Sequence, residues 1–368
     1  MLAEFRVKGF KNFEQELVLK LDEVKNYEFN NGAVRNGIVN KALVYGWNAS
    51  GKTNLGAAIL DITISLTDKH YEPRLYTNSQ NANTKEPISF YYRFRFEEGT
   101  VEYSCLKDGS GRFISEKLII DGSEVVVCDY KKGSASVKLE GAEQLATDNP
   151  DPTLSFTKYV KSNTILKENK INDAFNKLFE FVDSMLLFRS IGDNMFVGLM
   201  NKNENIDEAI VEANKLKDFE RLLNENGVRC KLRKRVISGR KTIACVFDDE
   251  KEILFIDIAS SGTKSFALFY YWLLKMEKVS FVFIDEFDAF YHSDLAKAVI
   301  TKLMEYKNTQ AILTTHNTDI MTNDLLRPDC YFLLEDGAIN SFANLTDKEL
   351  RFAHNLQKMY KSGSFYGK

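Results

Sequence analysis

The chain has 368 residues, with 49 Lys+Arg against 52 Asp+Glu and a formal net charge of −3, so bulk charge demands neither nucleic acid nor an anionic membrane as partner. Hydrophobic residues make up 44% and charged residues 27%, a globular mixture that excludes disorder along the whole length and suits one large domain with an inserted lobe, or two domains. Five cysteines, never in C-x-x-C spacing, exclude a disulfide scaffold and a cysteine-rich zinc site; with no apolar leader after Met1, a soluble cytoplasmic protein without a membrane span is expected.

Alternating apolar positions at Phe5 and Val7, then at Leu17, Leu19 and Leu21, predict short strands. The apolar run Ala42–Tyr45 predicts a buried strand ending at Gly46, and Leu55, Ala58, Ile59 and Ile62 then recur at helical spacing. After a polar stretch over 68–87, alternating segments at 88–96, 100–106, 113–120 and 124–130, separated by glycine turns, predict an antiparallel meander. Residues 172–226 read as helical, through Phe175, Leu178, Phe179 and Val182 and later Ile206, Ala209, Ile210 and Ala213. No heptad run is sustained, so no long coiled coil is expected. Strands are predicted again at 242–247 and 253–258, with Asp248-Asp249-Glu250 at the turn between them. A helix from about Thr263, a strand at 279–284, a helix after Ser293 and a strand at 310–315 complete the pattern. Strands alternating with helices imply a parallel sheet covered on both faces. The expected division is an α/β nucleotide-binding core from 1–67 and 236–368, with a β-meander and helical lobe inserted at 68–235.

Gly46-Trp47-Asn48-Ala49-Ser50-Gly51-Lys52-Thr53 fits the phosphate-loop pattern G-x-x-x-x-G-K-[ST] in full, with Asn54 next in the helix. Its glycines let backbone N–H groups wrap phosphates, and the helix start that follows favours anions. Lys52 supplies a point charge for the γ-phosphate, and the Thr53 hydroxyl suits Mg²⁺. Phe281-Val282-Phe283-Ile284 is an apolar strand ending in Asp285-Glu286. Asp285 is placed to hold Mg²⁺, and Glu286 to orient and deprotonate an attacking water. Ser260-Ser261-Gly262 sits between a strand and a helix, and His316 follows a strand thirty-one residues after Asp285. Alone, the first is an ordinary helix cap and the second an ordinary histidine.

In that order, these segments resemble an ABC-type ATPase head of the SMC/RecF/OLD branch. The resemblance is closest to short bacterial AAA-type (ABC-like) ATPases of anti-phage defence operons. The opening Phe5–Phe13 resembles that branch's first strand and loop, Ser260–Lys264 its signature sequence, and Asp285-Glu286 its Walker B end. His316 resembles its switch histidine, Asp288–His292 the segment carrying the D-loop, and Leu356–Gly367 the way these short chains end. The resemblance implies a P-loop NTPase fold, ATP with Mg²⁺, and a homodimer in which Ser261 and Gly262 of one subunit contact the γ-phosphate held by the other. It further implies catalytic roles for Glu286 and His316. Gln80 is the candidate for the glutamine that senses Mg²⁺ in the class. With about fifty residues after His316, the nuclease domain that OLD proteins carry is not expected in this chain.

Seven of thirteen residues between Arg229 and Lys241 are basic. Without interleaved aromatics for base stacking, a solvated strand or an acidic protein partner is favoured over DNA. The leading functional expectation is an ATPase whose cycle holds or releases a separate effector, such as a nuclease or toxin, in anti-phage defence. The alternative is a RecF-like DNA-binding repair protein. A transporter subunit is disfavoured, because Asp285 lies 239 residues beyond Gly46.

Overall fold

The computed structural model describes residues 1–189, 194–202, 204–248 and 250–366. Strands β1 (Leu2–Lys8) and β2 (Leu17–Lys20) pair antiparallel, with Phe5 opposite Leu19. A small hairpin of β3 (Val34–Arg35) and β4 (Ile38–Val39) leads to β5 (Lys41–Tyr45), which is buried throughout. The glycine loop follows, then α1 (Lys52–Ile59), α2 (Asp61–Leu66) and a turn of helix, α3 (Pro73–Tyr76). The meander consists of β6 (Ile88–Arg95), β7 (Thr100–Lys107), β8 (Phe113–Ile120), β9 (Ser123–Asp129) and β10 (Ser134–Val137).

Helices α4 (Phe156–Asn163) and α5 (Lys170–Asp183) come next, then β11 (Met185–Arg189) and β12 (Phe196–Gly198). Helices α6 (Ile206–Glu212) and α7 (Leu216–Glu225) precede a three-stranded sheet of β13 (Leu232–Ile237), β14 (Arg240–Val246) and β15 (Glu252–Leu254). The turn α8 (Phe255–Ile258) opens onto α9 (Ser261–Leu273). The chain closes with β16 (Phe281–Asp285), α10 (Ser293–Met304), β17 (Gln310–Thr314), β18 (Tyr331–Glu335), β19 (Ala338–Ser341) and α11 (Leu356–Lys361).

Two sheets of seven strands organise these elements. One is antiparallel, in the order β10-β9-β8-β7-β6-β1-β2. Its strands alternate inside and outside as their sequences do; in β6, Ile88, Phe90, Tyr92 and Phe94 are buried. The other has the order β12-β11-β16-β17-β5-β18-β19, parallel in its five inner strands and antiparallel at both edges. β5, β16 and β17 are buried at every residue, as central parallel strands covered on both faces must be. Helices α1 and α5 lie against the antiparallel sheet: the Tyr92 hydroxyl donates to Ala58 O at 2.9 Å, and Phe94 meets Phe181 of α5 edge-on at 5.4 Å. The result is a mixed α/β architecture, with helices flanking a largely parallel sheet and a second, antiparallel sheet.

Several expectations are corrected. The stretch 172–226 is not uniformly helical. Met185-Leu186-Leu187-Phe188 is a core strand, and a short apolar run of that kind carries no period by which to tell it from a buried helix. Residues 190–193 and 203 of that stretch, Asp249 of the expected turn, and Gly367 in the terminal segment lie outside the described residues. The strand expected at 253–258 stops at Leu254, where the chain turns into α8 and leaves Ile256 and Ile258 exposed. β18 and β19, after His316, extend the core sheet without having been anticipated. The sheets also run across the expected limits at 67 and 235, since β6 pairs with β1 and β11 lies beside β16.

Candidate active site

Every strand of the inner sheet that matters here ends at one edge. β5 delivers the glycine loop, β16 delivers Asp285-Glu286, and β17 delivers Thr314, Thr315 and His316. Parallel strands place the ends of their chains together, and ligands of open α/β sheets bind at that edge.

Within the loop, Gly51 has φ +105°, and a Cβ there would stand 2.4 Å from Asn12 Nδ2, so both conformation and space require glycine. Asn12, in the turn after β1, donates to Ser50 O at 3.0 Å and accepts from Asn54 Nδ2 at 2.7 Å. Asn54 therefore props the loop through Asn12. Asn48 and Ala49 are exposed at the loop's crest, with Ala49 in the left-handed region at φ +64°. The buried Ser50 Oγ has no hydrogen-bond partner. Lys52 lies under the loop, donating to Gly46 O at 2.9 Å and Trp47 O at 3.0 Å. Burial lowers its pKa, against the pull of Asp285 and Glu286. A buried cation held by carbonyls, an unpaired hydroxyl and a helix start together form a cradle suited to phosphate.

The Thr53 hydroxyl donates to Asp285 Oδ2 at 2.7 Å across 232 residues of sequence. Asp285 is 1% exposed, and Thr314 Oγ1 donates to its other oxygen at 2.9 Å. Burial raises its pKa, while the Thr53 and Thr314 hydroxyls and Arg189 act in the opposite direction. A desolvated carboxylate beside a threonine hydroxyl is a hard-oxygen pair that fits Mg²⁺. Among the described residues no cluster of three or more His, Cys, Asp and Glu could hold a metal.

Glu286 adopts φ +49°, a left-handed turn that costs a non-glycine residue about 1–3 kcal/mol. The Thr314 hydroxyl accepts from its backbone N–H at 2.7 Å and holds the turn. His316 is exposed, and burial followed by the Lys52 charge lowers its pKa against Glu286 and Asp285. Asp288 accepts from Thr315 Oγ1 at 2.7 Å, tying the segment after Glu286 to the strand end that carries His316.

Ser261 and Gly262 stand apart from this group. Ser260 caps α9 by accepting from Thr263 N at 3.2 Å, and Ser261 is exposed. A Cβ on Gly262 would lie 2.8 Å from Phe290 O, so the helix start presses on the segment following Glu286. Among the described residues no hydrogen bond or ion pair joins Ser261 or Gly262 to the glycine loop. Gln80 is likewise elsewhere. Its amide donates to Glu86 O at 3.0 Å, and its Oε1 lies against Gly109.

Three contributors escaped the sequence reading: Asn12, Thr314 and Arg189. Arg189 ends β11, its Nη2 2.9 Å from Glu286 Oε2 and its Nε 3.4 Å from Asp285 Oδ2. The signal was present, because four apolar residues followed by a charge repeat the layout of β16.

Comparison with known proteins gives a consistent setting. Among solved structures, the SMC head domain from Thermotoga maritima is similar at 14% identity, covering 92% of this chain and 97% of that one with a TM-score of 0.40. A SmcHead bound to the C-winged helix domain of ScpA is similar at 15% identity, covering 92% and 97% with a TM-score of 0.48. The recombination mediator protein RecF-ATP is similar at 12%, covering 93% and 99% with a TM-score of 0.42. No curated protein matches. The family described as "AAA domain, putative AbiEii toxin, Type IV TA system" matches residues 134–322, just over half of the chain, a span that includes Arg189, Ser261, Asp285-Glu286 and His316. The chain belongs to this AAA-domain family.

Proposed function

We propose that the chain binds ATP with Mg²⁺, hydrolyses it, and uses the cycle as a switch that holds or releases a partner effector in bacterial anti-phage defence. The observation that carries the nucleotide reading is the 2.7 Å bond between Thr53 and Asp285, which joins the phosphate loop to the acidic strand end. Gly46, Asn48, Ala49, Ser50, Gly51 and Lys52 hold the phosphates, with Asn54 supporting the loop through Asn12. Thr53 and Asp285 hold the Mg²⁺, which supplies charge neutralisation of the phosphates when bound. Glu286 accepts the proton of the attacking water, and the imidazole of His316 senses the γ-phosphate.

Ser261 and Gly262 act in trans, from a second copy. The exposure of Ser261, and the absence among the described residues of a hydrogen bond or ion pair from either residue to their own loop, supports a site that one subunit leaves incomplete. Trp47, at the loop crest, is 64% exposed, and in an ATP-sandwiched homodimer this surface is covered. Among the described residues no helix is long and apolar enough to cross a membrane, and a cytoplasmic setting is part of the proposal.

A protein partner is supported by the family's description, which names a Type IV TA system, although it gives the putative toxin role to the AAA-domain protein itself. DNA is less well supported. In the basic stretch, Arg233 pairs with Glu250 and Glu252, Arg235 with Glu252, Lys231 with Glu250 and Lys241 with Glu212. This leaves Arg229, Lys234 and Arg240 without an ion-pair partner among the described residues. A surface so neutralised releases few counterions on binding a duplex. The test is to purify tagged Glu286→Gln from its host with ATP and Mg²⁺ and to identify what co-purifies. A stoichiometric nuclease-like or toxin-like protein is the expected result. Recovery of DNA alone would replace the effector switch by a repair role.

A further inference from the structure

The acid pair has a counter-ion that the proposed chemistry does not use. β11 runs parallel to β16 in a register that sets Arg189 directly opposite Asp285. Its guanidinium reaches both carboxylates, Nη2 to Glu286 at 2.9 Å and Nε towards Asp285 at 3.4 Å. The side chains of Arg189 and Glu286 are 31% and 25% exposed, so the pair is partly shielded and not a freely solvated surface contact. Among the described residues the buried Nε makes no hydrogen bond, only the longer ion-pair approach to Asp285. Lys52 and His316 feel the same two carboxylates, so three nitrogen-bearing side chains surround one acid pair.

A guanidinium stays charged at every pH the protein meets and keeps an anionic partner when it is half-buried. A divalent cation on Asp285 repels it from that carboxylate. A terminal phosphate beside Lys52 brings two or more negative charges to the same few ångströms and matches the planar fork better than one carboxylate oxygen does. ADP brings no such group. With a cation on Asp285, Glu286 and an incoming γ-phosphate would be rivals for one guanidinium.

We propose that Arg189 is the residue that distinguishes ATP from ADP: its guanidinium rests on Glu286 without a γ-phosphate and transfers to the γ-phosphate when ATP binds. The transfer frees Glu286 to receive a proton from water only when there is a phosphate to attack. The base is occupied in the ADP state and available in the ATP state, with no proton or bond exchanged in the swap itself. This inference rests on the nucleotide reading above, and its test separates the two.

The measurement is calorimetric titration of the full chain with Mg²⁺-ADP and with the Mg²⁺ complex of the non-hydrolysable analogue AMP-PNP. The native chain binds the analogue more tightly. Arg189→Ala weakens the analogue by roughly tenfold to a hundredfold, the worth of a charge-assisted hydrogen bond, and leaves ADP nearly unchanged. Arg189→Lys, which keeps the charge and loses the fork, falls between. The double variant Arg189→Ala with Glu286→Gln separates direct contact from relief of repulsion. It stays non-discriminating if Arg189 touches the γ-phosphate, and regains the preference if Arg189 only neutralises Glu286, which overturns the proposal. Equal weakening of both nucleotides, or an unchanged ratio in either single variant, overturns it as well. A native chain that binds neither nucleotide removes the nucleotide reading itself.

Discussion

Replacing Glu286 by glutamine lowers steady-state ATP hydrolysis by about 10²–10⁴-fold, the usual contribution of a positioned general base. Nucleotide affinity stays within a few fold. The substitution is isosteric and keeps the hydrogen-bonding oxygen that faces Arg189 at 2.9 Å. The backbone turn at φ +49° is held by Thr314 and not by the side chain, so geometry survives the loss of charge. Lys52→Ala gives the opposite split, because that ammonium serves the phosphates and not the water; affinity falls first. A phosphate-release assay beside a titration separates the two. If Glu286→Gln hydrolysed ATP at the native rate, the base would have to be sought elsewhere, and His316 is the next nitrogen in reach.

The second large effect lies behind the site. Lys107 of β7 crosses to α2, where its ammonium meets Asp61 Oδ2 at 2.6 Å and Ser65 Oγ at 2.7 Å. Both side chains are nearly buried, at 8% and 10% exposure, and the ammonium lies over the rings of Phe113 at 4.9 Å and Phe90 at 5.6 Å. Asp61→Ala leaves a cation in that pocket without its counter-charge and destabilises the protein by about 3–5 kcal/mol. Replacing both partners by apolar residues of similar size, Asp61→Leu with Lys107→Met, is neutral or stabilising on the same argument. Thermal unfolding of the three variants reads both signs at once. A harmless Asp61→Ala would mean that water reaches the ammonium and that the pair does not pin α2 to the antiparallel sheet.

Much of the site was legible because its motifs are local and sequential. The glycine loop occupies eight consecutive residues, and the strand before Asp285-Glu286 is a plain apolar run. The meander was legible too, since β6 and β7 alternate cleanly and turn on glycine. What escaped depends on tertiary pairing. β11 is five residues long and follows α5 after a single residue, so its apolar side chains continue the helix's own in any window wide enough to show a period. With the strand hidden, Arg189 had no reason to be placed beside Asp285. Asn12 was visible inside the opening segment, but only its approach to Gly51 gives it a task. Gln80 was illegible for a related reason: one glutamine in a polar loop has no partner until the loop is placed, and here its side chain lies against Glu86 and Gly109 while its backbone bridges Phe10. The basic stretch read as a local excess of charge. Its acids come from α6 and from the strand after the next turn, and so were out of view.

The most direct test of the account is the mass of the particle with and without nucleotide. Sedimentation of Glu286→Gln should show a monomer alone or with Mg²⁺-ADP, and a dimer or larger assembly with Mg²⁺-ATP. Adding Ser261→Arg, at an exposed residue outside the subunit's own phosphate cradle, should abolish the assembly while leaving ATP affinity in place. A particle that remains monomeric with saturating ATP, or an assembly indifferent to both ATP and Ser261→Arg, would contradict a site completed by a second copy.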